Sequence, residues 1–109
     1  MTLEANVMAE RHRRLSGRVA IVTGATGGVG RGIAHRLAAA GMTVVVGSRD
    51  AGRAQTMAEE LASLGANSLA VQADVALPED VERLVSTAVE RYGRLDLMCN
   101  NAGLLHIAP

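Results

Sequence analysis

The sequence predicts an α/β protein: a doubly wound parallel sheet of four strands in the order 3-2-1-4, with three helices. Three observations predict it. Short, nearly continuous apolar runs alternate with longer segments whose apolar residues recur at helical spacing. The runs are nearly continuous in apolar residues rather than strictly alternating with polar ones, the pattern of strands covered on both faces. A glycine closes each helical segment. Right-handed crossovers then place helices one and two on one face and helix three on the other. The switch point falls between strands one and four, where ligands of such sheets bind.

Residues 1–17 read as an N-terminal tail. Its cluster Arg11, His12, Arg13 and Arg14 stands beside Glu10 and reads as a solvated arm. Arg18 to Gly24, RVAIVTG, is the first strand. Val29, Ile33, Leu37 and Ala40 give the apolar stripe of the first helix, which Gly41 stops. Thr43 to Ser48, TVVVGS, is the second strand. Asp50 is placed to cap the second helix, whose stripe is Ala54, Met57, Leu61 and Leu64 and whose end is Gly65. The third strand lies near Ser68 to Ala73. Pro78, Glu79 and Asp80 open the third helix, with proline at its start and acids in its first turn. Its stripe is Val81, Leu84, Val85, Ala88, Val89 and Tyr92, the best amphipathic pattern in the chain. Gly93 ends it, and LDLMC, Leu95 to Cys99, is the fourth strand.

Composition bounds the function. A chain of 109 residues with 49% hydrophobic and 20% charged residues suits one small globular domain. The formal net charge is +0, with Lys+Arg 11 against Asp+Glu 11, which gives no reason to expect nucleic acid or an anionic membrane as partner. All the basic residues of that set are arginine, and Tyr92 is the only aromatic residue. Cys99 is the single cysteine, so no internal disulfide framework exists; it reads as a small buried hydrophobe. The N-terminus has no continuous apolar stretch of secretory type, and the expected setting is soluble and cytoplasmic.

The chemistry begins where strand one enters TGATGGVGRG. Gly24, Gly28 and Gly30 follow the spacing G-x3-G-x-G. Gly24 lets the chain turn off the strand. Gly28 lets backbone approach a pyrophosphate, and Gly30 lets the helix pack close to the sheet. The helix N-terminus offers N–H groups and partial positive charge to phosphates. A glycine triplet at the junction of a strand and a helix is the context that gives such a loop its meaning.

TGATGGVG resembles the TGxxxGxG cofactor loop of the short-chain dehydrogenase/reductase family. NNAG, at Asn100 to Gly103, resembles the family's motif at the tip of strand four, and Asp74-Val75 its DV pair. The resemblance covers about residues 17 to 109 and implies a Rossmann-like, NAD(P)-binding domain over 18–109. It implies that Gly24, Thr26, Gly27, Gly28, Val29 and Gly30 line pyrophosphate and ribose. Asp74 and Val75 would flank the adenine, and Asn101, Ala102 and Gly103 would pass behind the cofactor. Asn100 reads as a brace between strands, His106 as a loop residue and His35 as a surface residue.

Strand two argues cofactor choice. An acidic residue at its end would hold a ribose 2′-hydroxyl. Ser48 and Arg49 stand there, suited to a 2′-phosphate, so NADP(H) is favoured over NAD(H). Two features depart from the family. Gly27 stands where NADP-preferring members often carry a basic residue. Ala76 stands where a capping Ser or Thr is common, which weakens that helix start by about 1 kcal/mol.

The family's hydride transfer between nicotinamide and a carbonyl or alcohol carbon uses a Tyr-xxx-Lys pair. This chain has no lysine, and Tyr92 is followed by GRLD. The sequence therefore reads as the cofactor-binding first part of such an oxidoreductase, with no catalytic residue of its own and an open fourth strand suited to self-association. A non-catalytic nucleotide-binding or regulatory module and a methyltransferase of similar fold are the competing readings.

Overall fold

The computed structural model describes residues 2–3 and 15–101. Four strands, β1 (Val19–Thr23), β2 (Thr43–Ser48), β3 (Ser68–Gln72) and β4 (Leu97–Asn100), alternate with three helices, α1 (Gly28–Ala39), α2 (Ala51–Ser63) and α3 (Pro78–Tyr92). All neighbouring strands are parallel and the sheet order is β3-β2-β1-β4. The predicted architecture and strand order are those observed.

The faces of the sheet divide as the crossovers require. Val22, Val44 and Val46 point to α1 and α2, where Ala34, Ala38, Ala54, Met57 and Leu61 meet them. Val19, Ile21 and Val45 point to the other face, where α3 lays Leu84 and Ala88 over them, with Tyr92 packed at the margin. Every residue of β1 is buried, because both of its edges and both of its faces are covered. Burial of a side chain such as Leu84 contributes roughly 1.5–3 kcal/mol.

Helix ends follow local chemistry. The Asp50 carboxylate accepts the Arg53 N–H at 3.0 Å and caps α2 as expected. Pro78 opens α3, whose N-cap Leu77 offers no side-chain acceptor. At its far end Gly93 takes φ 82°, a left-handed conformation favourable to glycine, and its N–H closes on the Val89 carbonyl at 2.7 Å.

Three expectations are corrected. The buried face of α1 is Gly30, Ala34 and Ala38, with Ile33 and Leu37 only partly covered and Val29 67% exposed. Small residues let the helix lie close to the sheet, so the larger ones fall at its flanks. Leu64 is 61% exposed, because α2 ends at Ser63 and Ala58 joins the buried stripe in its stead. β4 begins at Leu97, two residues later than predicted. Asp96 stands before it as a clasp: its N–H donates to the Val19 carbonyl at 2.9 Å and its carboxylate accepts the Val19 N–H at 2.8 Å. Arg94 grips the same carboxylate at 2.7 and 2.8 Å. The open fourth strand is partly bare, with Leu97 and Met98 42% and 36% exposed, while Cys99 packs against the core on the α1 side.

Candidate functional site

All four strands end on the same side of the sheet. The loops leaving them surround a cleft of about 920 Å3, at the place where open parallel sheets receive ligands.

The first wall is the turn after β1. Gly24 takes φ 67°, and its N–H is anchored to the Gly47 carbonyl at 3.2 Å. Gly30 is the point of closest approach. A Cβ there would sit 2.5 Å from Asn101 Nδ2 and nearer still to the Gly24 carbonyl, so only glycine fits without displacement. Gly28 also has positive φ, at 56°, and the space above it is open. Gly27, Gly28 and Val29 form the exposed entry to α1, while Thr26 lines the cleft. No side chain caps α1 and its first turn holds no acid. Among the described residues its positive end therefore meets no cap and no first-turn acid.

The second wall is the turn after β2, where Ser48, Arg49 and Asp50 line the cleft. Ser48 Oγ accepts the Asp50 N–H at 3.2 Å. Among the described residues the exposed Arg49 guanidinium has no hydrogen-bond or ion-pair partner. The third wall is Asp74 and Val75. Asp74 Oδ1 accepts the Ala76 N–H at 2.9 Å, and the Asp80 carboxylate reaches back from α3 to accept the Asp74 N–H at 2.8 Å. Asp80 thus steadies the helix start that Ala76 and Leu77 leave without a side-chain cap.

The last wall is the end of β4. The Thr23 hydroxyl donates to Asn100 Oδ1 at 2.9 Å and accepts the Asn101 N–H at 3.0 Å. Asn101 Nδ2 donates to the Gly24 carbonyl at 3.4 Å. Asn100 is a brace, as expected, and Asn101 is a second one. Ala102, Gly103 and His106 lie outside the described residues.

The structure adds residues that spacing did not reveal. Thr23 is fully buried yet joins the end of β1 to the end of β4. A hydroxyl closing an apolar strand was the available signal. Gln72 and Arg83 join the second and third walls: Arg83 donates to the Gln72 carbonyl at 2.5 Å, and Gln72 Nε2 donates to the Arg49 carbonyl at 3.2 Å. No sequence pattern marks this pair.

Behind the cleft, Glu60 of α2 binds two side chains of α1. Arg31 forks onto its carboxylate, and His35 Nε2 lies 3.0 Å from Oε2. His35 stands at the surface with its side chain 32% exposed, and it is engaged by Glu60. The Arg31 hydrogen bonds, then that of His35, hold the Glu60 pKa down at about 2. Arg94, then the Val19 N–H, lowers that of Asp96. Among the described residues no group of His, Cys, Asp and Glu is placed to hold a metal ion, and no helix is long and apolar enough to cross a membrane.

Residues 18–109 match the profile of the short chain dehydrogenase family. The chain belongs to that family. It is 39% identical over 97 residues to the tetrahydroxynaphthalene reductase PfmaG of Pestalotiopsis fici, covering 88% of this chain and 35% of that protein. A hydroxysteroid dehydrogenase from Escherichia coli superposes with a TM-score of 0.78 at 33% identity, over 84% of this chain and 39% of that one. A short-chain dehydrogenase/reductase from Burkholderia phymatum, solved in complex with NAD, superposes with a TM-score of 0.73 at 33% identity, over 77% and 30%. The chain spans 35% of the reductase's length. Membership of the short-chain dehydrogenases decides against the methyltransferase reading, and it gives the glycine loop, the DV pair and the start of NNAG a common frame at one cleft.

Proposed function

We propose that this chain is the dinucleotide-binding portion of an NAD(P)(H)-dependent short-chain oxidoreductase, and that its cleft takes NADP(H) in preference to NAD(H). The observation that carries the preference is the end of β2. Arg49 lines the cleft with no partner among the described residues. The Ser48 hydroxyl accepts the Asp50 N–H, so its own proton can be donated to a phosphate oxygen. The acid that could instead hold a ribose hydroxyl, Asp50, is engaged in capping α2.

The remaining assignments follow the family pattern. Gly24 and Thr26 to Gly30 hold pyrophosphate and ribose through the backbone and the positive end of α1. Asp74 and Val75 flank the adenine, and Asp74 retains one carboxylate oxygen beyond its turn bond. Asn101, Ala102 and Gly103 back the cofactor. The nicotinamide supplies hydride chemistry toward a carbonyl or alcohol carbon; this chain's residues bind and orient it, and none of them is a catalytic residue. A cytoplasmic setting is part of the same reading, supported by the lone thiol Cys99.

Binding of NADPH and NADH to the chain and to Arg49→Ala tests the preference. Loss of one charge-assisted phosphate contact costs about 1.5–3 kcal/mol. The variant should therefore bind NADPH roughly tenfold more weakly, or worse, with NADH nearly unchanged. Equal losses for the two cofactors would remove the assignment of Arg49. The alternative, a free-standing nucleotide-binding module, is separated by the parent reading frame: a Tyr-xxx-Lys pair beyond Pro109 marks an enzyme, a natural stop a module.

A further inference from the structure

Beside the cleft lies a second groove of about 540 Å3, between the turn after β1 and the first turns of α2. Thr26, Asp50 and Arg53 line both, so the two hollows share one border. The cations at that border differ in commitment. Arg31 is held by the Glu60 carboxylate through two hydrogen bonds. Among the described residues Arg53 pairs only with Asp50, with Nε 3.7 Å from Oδ2 and side chains 75% and 59% exposed. Such an exposed, loose pair contributes little and yields readily to a stronger anion.

Arg53 stands in the first turn of α2, and Arg49 stands just ahead of the helix's N-cap, Asp50; both line the cleft. Across the border Gly27 brings no side chain, and nothing lies within 4 Å of where its Cβ would be. Side-chain positive charge toward an anion at this corner therefore comes from the α2 side. Two guanidinium groups there can take a phosphate between them, each with a planar fork of donors. We infer that Arg53 is a second anchor for the adenosine 2′-phosphate, a specificity-determining residue beside Arg49; this rests on the NADP(H) reading above.

The test is calorimetric titration of the 109-residue chain with 2′,5′-ADP and with 5′-AMP, which lacks the 2′-phosphate. Arg53→Ala leaves the Arg53 N–H that Asp50 caps, and circular dichroism checks that the helices are intact. The variant should bind 2′,5′-ADP about fivefold or more weakly and 5′-AMP within about twofold of the parent, with a smaller loss for Arg53→Lys. Unchanged 2′,5′-ADP binding in Arg53→Ala, with selectivity lost in Arg49→Ala, overturns this inference and leaves the NADP(H) reading standing. Equal weakening toward both ligands also overturns it, because Arg53 would then support the cleft as a whole. A parent chain that binds both ligands equally removes the NADP(H) reading and this inference together.

Discussion

Thr23 and Asn101 are tied by a hydrogen bond of 3.0 Å across 78 positions of sequence, from the Asn101 N–H to the Thr23 hydroxyl. The same hydroxyl donates to Asn100 at 2.9 Å. One buried side chain thereby ties the end of β1 to the end of β4.

Thr23→Val keeps the shape and removes this junction. The Asn101 N–H and Asn100 Oδ1 lose that partner, and the variant should be destabilised by about 1–3 kcal/mol in urea unfolding. Thr23→Ser retains the hydroxyl and should lose clearly less. Equal losses for Val and Ser would show that the methyl packing, not the hydroxyl, matters.

Gly30 and Gly32 both lie in α1 and should respond in opposite directions. An alanine at 30 meets the Gly24 carbonyl and Asn101, and overpacking of this kind costs about 1–3 kcal/mol. An alanine at 32 meets nothing within 4 Å and should stabilise the helix by about 0.5–1 kcal/mol. Thermal unfolding of the two variants decides it; a Gly30→Ala protein as stable as its parent would contradict the close approach.

The contrast between these positions shows how far the sequence could be read. Sheet order and the divided faces were legible, because long β-branched runs and glycine-closed helices permit few layouts. The burial of Ala34 and Ala38, and the exposure of Val29 and Leu64, were not. Side-chain size marks what prefers to be buried, whereas closeness of packing decides which positions are. The start of β4 was misplaced because Leu95 and Asp96 look like strand, while Asp96 spends its bonds on Val19. At the cleft, glycine positions were legible from backbone requirements. Thr23, Gln72, Asp80 and Arg83 were not, since each acts on a partner that only the fold brings near.

Stability should fall in acid through Glu60. Its pKa is lowered from 4.5 to about 2, so the folded chain favours the charged form. That contribution is full above about pH 4.5 and is lost as pH falls through about 2. Asp96 shifts in the same direction. Urea midpoints of the parent and Glu60→Gln should differ at pH 6 and converge near pH 2. A difference that stays constant over that range would show that the α1–α2 clip does not depend on the carboxylate charge.

Carbonyl reduction should be absent from the pure 109-residue chain, which has no lysine and whose single tyrosine, Tyr92, packs at the margin of the core under α3. Steady NADPH oxidation with simple ketones or quinones would contradict this.

Association should proceed through β4. Among the described residues nothing pairs with its outer edge, and Leu97 and Met98 are partly bare on its two faces. Such an edge is a template for another strand. Sedimentation equilibrium should find dimers or larger species, and Leu97→Lys should shift them toward monomer. A monomer at tens of micromolar, with a sharp unfolding transition and no binding of hydrophobic dye, would show the edge to be closed.

Gln72 gives the rim of the cleft a mechanical character. Arg83 of α3 holds its carbonyl, and its amide holds the carbonyl of Arg49. Three segments far apart in the chain are strung on one thread, so the lip carrying Arg49 is stiffened from β3 and α3 as well as from its own strand.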